Sequence, residues 1–268
     1  MATRLAIVGG GRMGEALVAG LVQAGWATPE EMVVVEPVAA RREQLAARFP
    51  GLGLSDVAVE ADGVVLAVKP ADAESACRAV ADAGGATTGG RVLSIMAGVP
   101  TARLQEWLGP EAAVVRAMPN TPALVGAGAA AIAAAPSAGE ADLDWAEGIL
   151  AAVGAVQRVP ESLLDAVTGL SGSGPAYVFL VAEALVDAGV LNGLSRSTAS
   201  VLVIQTLLGS ARLLSESDDG PEALRAAVTS PGGTTAAGLR VLEDYAVRSA
   251  FLEAVTAATE RSRELGQA

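Results

Sequence analysis

Short apolar runs alternate with amphipathic stretches over the first 160 positions of this 268-residue chain. The runs Ile7-Val8, Val33-Val34-Val35 and Val64-Val65-Leu66 lack any polar alternation. Strands of a parallel sheet covered on both faces read in this way. Strands are predicted over 5–8, 32–36, 63–68, 91–95, 113–116, 129–133 and 155–159, with helices over 12–24, 38–48, 71–83, 101–108 and 138–152 between them. That order predicts an α/β domain with a doubly wound, mostly parallel sheet. After about Pro160 the strand signals stop. The segments 163–170, 175–188, 196–215, 221–228, 234–244 and 246–265 read as helices, so an all-α second domain is expected from residue 160 to 268.

One of these helices is unusual. Residues 197–211 carry no charged side chain, whereas a surface helix needs a polar face. A domain of this size has little core in which to hide such a helix. A homodimer whose helices pack on each other is the economical expectation, with a single-chain core helix as the alternative.

Composition narrows the chemistry. Hydrophobic residues make up 51% of the chain and the formal net charge is −12. An acidic surface repels phosphate backbones, so nucleic acid is not an expected partner. The single cysteine, Cys77, excludes an intrachain disulfide and suits a reducing compartment. There is no histidine, which removes Ser-His-Asp catalysis, imidazole proton shuttles and His-ligated metals; no metal site is expected. The N-terminus passes into a strand pattern without a signal-peptide layout. The longest uncharged run, 117–139, is broken by Pro119, Pro122 and Pro136, unlike a membrane span. A cytoplasmic protein is expected.

Gly9-Gly10-Gly11-Arg12-Met13-Gly14 matches G-x-G-x-x-G between a predicted strand and a predicted helix, the context the dinucleotide fingerprint requires. Gly9 permits the tight turn, Gly11 lets backbone approach a pyrophosphate, and Gly14 lets helix pack on strand. The helix start then offers free N–H groups to phosphate. The first domain, 1–159, is therefore expected to be Rossmann-like. Glu36 ends the second strand, where an acid accepts hydrogen bonds from a ribose diol and repels a 2′-phosphate; this favours NADH. Arg41 and Arg42 follow in a helix; they either soften that preference by meeting a phosphate or, the favoured reading, are solvated helix surface. Ala67-Val68-Lys69-Pro70 closes the third strand at the crevice edge, and Lys69 is the only lysine in the chain. Asn120, in Met118-Pro119-Asn120-Thr121-Pro122, either meets the cofactor or stabilises its own turn.

Two further blocks lie beyond this domain. Asp165 to Tyr177 contains Ser171-Gly172-Ser173-Gly174-Pro175. Thr229-Ser230-Pro231-Gly232-Gly233-Thr234-Thr235 precedes a predicted helix, and its free N–H groups suit a carboxylate. With the fingerprint, 67–70, Asn120-Thr121-Pro122 and the closing Arg261-Ser262-Arg263-Glu264-Leu265, they make the chain resemble pyrroline-5-carboxylate reductases over nearly its whole length. The pairing of 170–177 with 230–235 is the specific part.

The resemblance implies reduction of 1-pyrroline-5-carboxylate to L-proline, the last step of proline biosynthesis, with NADPH or NADH as coenzyme. It implies a helical domain that interlocks two subunits, dimers that assemble into larger rings, and an active site completed by the second subunit. It places the substrate carboxylate on the Gly233–Thr235 backbone, within a cradle of Ser230, Pro231, Gly232, Gly233 and Thr234. It puts the Thr235 hydroxyl on the ring nitrogen, with Glu161 near by. Cofactor contacts fall on Gly9, Gly10, Gly11, Arg12, Met13, Glu36, Ala67 through Pro70, Ile95 and Ala97.

Three departures stand out. Glu36 replaces a small or polar residue. Ser94-Ile95-Met96-Ala97-Gly98 carries bulk where small residues are usual, so a tighter nicotinamide pocket is expected. Ala227 replaces an asparagine. The missing histidine is consistent with the chemistry, because a protonated imine brings its own proton and needs mainly orientation. A hydroxyacid dehydrogenase, which needs a protein acid or base, and a non-catalytic dinucleotide-sensing scaffold are the alternatives.

Overall fold

The computed structural model describes residues 3–84 and 90–267. Among them, eight strands form one sheet in the order β3-β2-β1-β4-β5-β6-β7-β8. These are β1 Leu5–Val8, β2 Met32–Val35, β3 Gly53–Ser55, β4 Gly63–Leu66, β5 Arg91–Ser94, β6 Ala113–Met118, β7 Gly128–Ala134 and β8 Gly154–Arg158. Neighbours pair in parallel from β3 to β6. β7 runs antiparallel to β6, and β8 runs parallel to β7. The helices between them are α1 Arg12–Gln23, α2 Ala39–Arg48, α3 Ala73–Asp82, α4 Thr101–Leu108 and α5 Glu140–Ala151. The strand β3 has no counterpart in the predicted elements. Gly53-Leu54-Ser55 is too short to carry a period of two.

Why the strand runs are continuously apolar is visible in their packing. Leu5 and Ile7 of β1 join Leu17, Leu21, Leu45 and Ile149 in one core cluster. Ala6 and Val8 join Cys77, Met96, Leu104 and Val114 in another. Successive side chains point to opposite faces, and helices cover both. Each fully buried Leu or Ile contributes roughly 1.5–3 kcal/mol.

The chain winds outward from β1 through β2 to β3, then returns to lay β4 on the other side of β1. The gap between the carboxyl ends of β1 and β4 is therefore the switch point where ligands bind in open α/β sheets.

Compactness divides the chain at Ser173. One unit holds the residues up to Ser173 and those from Thr256 onward; the other is Gly174–Val255. The strand signals end near Pro160, but α6 (Leu164–Val167) and the π-helical turn Thr168–Gly172 belong with the sheet. Leu164 is fully buried with Ala131 and Ala133, and the Ser262 hydroxyl donates to Asp165 at 2.6 Å.

In the second unit, α7 (Gly174–Leu191) and α8 (Arg196–Glu216) pair closely, and α9 (Pro221–Ala227) and α10 (Thr234–Asp244) follow. A final helix, α11, covers Val247–Gln267. A Cβ on Gly189 would lie 3.0 Å from that of buried Ala199, so glycine permits the approach of α7 and α8. Their other faces are apolar and open: Phe179, Leu180, Val201, Ile204 and Leu208 are each more than 60% exposed. The single-chain core helix is thus not what forms. By length and composition alone, residues 161–191 and 196–216 could cross a membrane.

Candidate active site

The glycine-rich turn is built as its sequence requires. Gly9 has φ +112°, and a Cβ there would lie 2.6 Å from the Ala67 carbonyl oxygen. A Cβ on Gly14 would meet the Gly9 carbonyl oxygen at 2.1 Å. Gly11, by contrast, has open space around it, which leaves room for a diphosphate at the start of α1. Arg12 opens that helix, is exposed, and has no ion pair among the described residues; Met13 packs half-buried against the core. The turn is therefore a backbone cradle with a free cation beside it, and a dinucleotide fits.

At the end of β2, Glu36 is fixed from two sides. Its carboxylate accepts the Gly10 N–H and the Val38 N–H, each at 3.0 Å. Neither Arg41 nor Arg42 is the freely solvated side chain expected from sequence. Arg41 Nε donates to the Gly10 carbonyl at 2.6 Å, and its guanidinium pairs with Glu15. Arg42 donates to the carbonyls of Glu36 and Pro37 at 2.7 and 2.9 Å. Across the crevice, Ala67 and Val68 are half-buried, and Lys69 and Pro70 are exposed. Lys69 makes no ion pair among the described residues.

The end of β5 supplies the next wall. Ile95 is half-buried, its N–H bonded to the Leu66 carbonyl at 3.0 Å, and Ala97 is exposed. Met96 is buried among Leu104, Leu108 and Cys77. Its bulk fills the core, so it does not narrow the pocket as expected. A cleft of about 590 Å³ borders Pro70, Ala97, Gly98, Thr168 and Ser262. A smaller one of about 320 Å³ borders Arg116, Glu161, Asp165 and Arg263. Cys77 is no nucleophile here, because burial pushes its thiol up to about 12.

Glu161 is engaged by the chain itself. It accepts the Thr101 N–H at 2.8 Å, the Thr101 hydroxyl at 2.5 Å and the Arg116 guanidinium at 3.0 Å. A carboxylate at the start of α4 is favourable. Burial pushes its carboxyl upward, but the Thr101 hydrogen bonds and Arg116 together hold it below the usual Glu range. A depressed folded-state pKa means that this contribution is complete above about pH 4.3 and drains away as pH falls through the lower, folded value. Glu161→Gln should cost about 1–3 kcal/mol at neutral pH and flatten that part of the acid-unfolding profile. Chemical denaturation of both proteins across acidic pH checks this. Arg116 was not singled out as a functional residue from the sequence. Its signal was a cation inside the apolar strand Ala113–Met118, which demands a buried acid.

Asn120 uses its amide internally. Its Oδ1 accepts the Ala129 N–H at 2.8 Å, and its Nδ2 donates to the Ser171 carbonyl at 3.0 Å. It ties the loop after β6 to β7 and to the wide turn at Thr168–Gly172, the turn-stabilising alternative.

In the helical unit, Gly232 has φ +68° and Gly233 caps α10. A Cβ on Gly233 would lie 2.4 Å from Ser230 Oγ and 3.2 Å from the Ser230 carbonyl oxygen, so a side chain there would have to turn the Ser230 hydroxyl aside. Helix geometry leaves the N–H groups of Thr234, Thr235 and Ala236 without intrahelical partners. Thr234, Thr235, Ser230 and Pro231 are exposed. The turn thus offers unpaired N–H groups with an exposed hydroxyl beside them. Glu36 and 67–70 meet at the crevice with the fingerprint, whereas Ser230–Thr235 belong to the other compact unit.

These features define a dinucleotide-dependent oxidoreductase with a separate helical domain. A family model described as "Pyrroline-5-carboxylate reductase dimerisation" matches residues 161–265, and one described as "NADP oxidoreductase coenzyme F420-dependent" matches residues 4–98. A pyrroline-5-carboxylate reductase of Synechocystis is 47% identical, with 100% of each chain covered. One of Mycobacterium tuberculosis is 45% identical over 98% of this chain and 96% of its own. Among solved structures, a pyrroline-5-carboxylate reductase from Coxiella burnetii has a TM-score of 0.93 at 38% identity, covering 99% of each chain. The Plasmodium falciparum enzyme with NADP bound has a TM-score of 0.85 at 33% identity, covering 98% of each. The chain belongs to the pyrroline-5-carboxylate reductase family, and its helical domain is an oligomerisation domain.

Proposed function

We propose that the chain reduces 1-pyrroline-5-carboxylate to L-proline with NAD(P)H, the closing step of proline biosynthesis, as a cytoplasmic homodimer that assembles into rings. The observation that carries this is the presence on one chain of a diphosphate cradle at β1 and β4 and an anion cradle with a free hydroxyl at α10. The functional division falls at 159/160, with coenzyme held by 1–159 and substrate and partner subunit by 160–268. The open apolar faces of α7 and α8 support burial against a second copy.

The reduced nicotinamide supplies a hydride. The protein's own part is placement. The N–H groups of Thr234 and Thr235 bind the substrate carboxylate, with Ser230 through Gly233 shaping the turn. Thr235 Oγ accepts the N–H of the protonated ring imine and fixes its orientation. Gly9 through Gly14 bind the diphosphate, with Arg12 as its cation and Lys69 at the facing edge. Ile95 and Ala97 border the nicotinamide. Glu161 and Asn120 act through the walls they hold. No general acid is required, since the imine brings its proton.

Glu36, held in place by two N–H groups, favours NADH. A 2′-phosphate about 4 Å from a fixed carboxylate is repelled by roughly 1–4 kcal/mol per charge pair. Glu36→Ser should shift the NADPH-to-NADH ratio of kcat/KM upward by about tenfold or more; an unchanged ratio means that Glu36 does not face the ribose. The activity itself is tested by coenzyme oxidation on adding racemic pyrroline-5-carboxylate. Turnover with a 2-hydroxyacid and none with the imine would favour the dehydrogenase alternative.

A further inference from the structure

The cations behind Glu36 are already engaged by other acceptors. Three arginines, Arg41, Arg42 and Arg48, lie on α2, the helix that follows Glu36 at the adenosine end of the crevice. By count, this end should welcome an extra phosphate. Arg41 and Arg48, however, both close on one carboxylate, that of Glu15 in the first turn of α1. Arg41 takes one oxygen and Arg48 the other. Glu15 is only 17% exposed. Burial pushes its carboxyl up, but the two arginines together hold it below the usual range, so it is charged at neutral pH.

Position gives this pair its meaning. Arg41 Nε donates to the Gly10 carbonyl, and the Gly10 N–H donates to Glu36. A single residue of backbone therefore separates the Arg41 guanidinium from the carboxylate that faces the ribose. Arg41 is thus tied to Glu36 through Gly10, and Glu15 faces it the other way. The carbonyls of Glu36 and Pro37 hold Arg42.

Building on the Glu36 reading above, we propose that Glu15 is a second determinant of coenzyme selectivity: it withholds Arg41 and Arg48 from the 2′-phosphate that Glu36 repels. The two acids act in series. Removing Glu36 alone takes away repulsion but leaves no free cation. Removing Glu15 alone frees the arginines while Glu36 still occupies the subsite. The gain appears when both are changed, which is non-additivity between neighbours that share partners.

The test is equilibrium binding by calorimetry, without turnover. The ligands are NADH, NADPH and adenosine 2′,5′-bisphosphate; the proteins are wild type, Glu36→Ser, Glu15→Gln and the double variant. Glu36→Ser should improve the affinity for NADPH relative to NADH by about tenfold. The double variant should improve it about tenfold again, beyond the product of the two single effects, and the extra gain should shrink at high salt, as a freed ion pair requires. Adenosine 2′,5′-bisphosphate should follow NADPH. If the ratio moves in Glu36→Ser but no further in the double variant, Glu15 is only a clasp between α1 and α2 and the proposal is overturned. A ratio unchanged in Glu36→Ser overturns the Glu36 reading beneath it. Should glutamine at position 15 prevent folding, Glu15→Asp in the Glu36→Ser background keeps the charge but shortens its reach; a smaller gain of the same sign supports the proposal, and no gain overturns it.

Discussion

Replacing Thr235 with alanine should lower kcat/KM for pyrroline-5-carboxylate by about 10- to 100-fold. The hydroxyl stands beside N–H groups that the first turn of α10 leaves unpaired. In the proposed complex it accepts a hydrogen bond from a charged ring nitrogen. Hydrogen bonds to charged groups contribute about 1.5–3 kcal/mol, which sets the size of the loss. The carboxylate keeps its own backbone contacts, so most of the loss should fall on kcat, where orientation of the ring matters. Thr235→Ser keeps the hydroxyl and should recover most of the rate. A loss within about twofold for the alanine variant would remove Thr235 from the reaction.

The second large effect concerns the other cradle. Gly9→Ala should destabilise the sheet unit and weaken binding of either coenzyme. At φ +112° a side chain costs about 1–3 kcal/mol in backbone strain. The added Cβ, 2.6 Å from the Ala67 carbonyl oxygen, adds about 1–3 kcal/mol of overpacking. A fall in Tm of roughly 5–15 °C follows, readable by calorimetry. Because Ala67 belongs to the β4 edge of the crevice, the clash also spreads the two walls that grip the diphosphate. A variant with wild-type Tm would show that the turn is not as tight as described.

How much of this was legible beforehand differs between the two units. Strand and helix limits in the sheet unit match the predicted ones closely, since each apolar run feeds both core clusters. The exception, β3, is three residues long and held by pairing with β2 alone. The fingerprint glycines could be assigned roles because each removes a specific Cβ clash. Side-chain partnerships were not legible. Arg41 and Arg42 sit at helical positions that look solvated, and only the fold brings Glu15 and the Gly10 carbonyl to them. The run 94–98 looked like a bulkier wall of the nicotinamide pocket because it gives no face to each residue; the fold turns Met96 inward. The resemblance drew attention to Glu161, but its engagement by Thr101 and Arg116 spans 60 and 45 positions, beyond any local pattern. The uncharged stretch 197–211 did signal an open apolar face, since α8 is covered along only part of its surface.

The most direct test of hydride delivery follows the hydrogen itself. With coenzyme deuterated at nicotinamide C4, each face in turn, proline formed by this protein should carry one deuterium on the ring carbon that was double-bonded to nitrogen, from one face only. Proline without that label, or label lost to water, would contradict direct transfer between a nicotinamide and a cyclic imine.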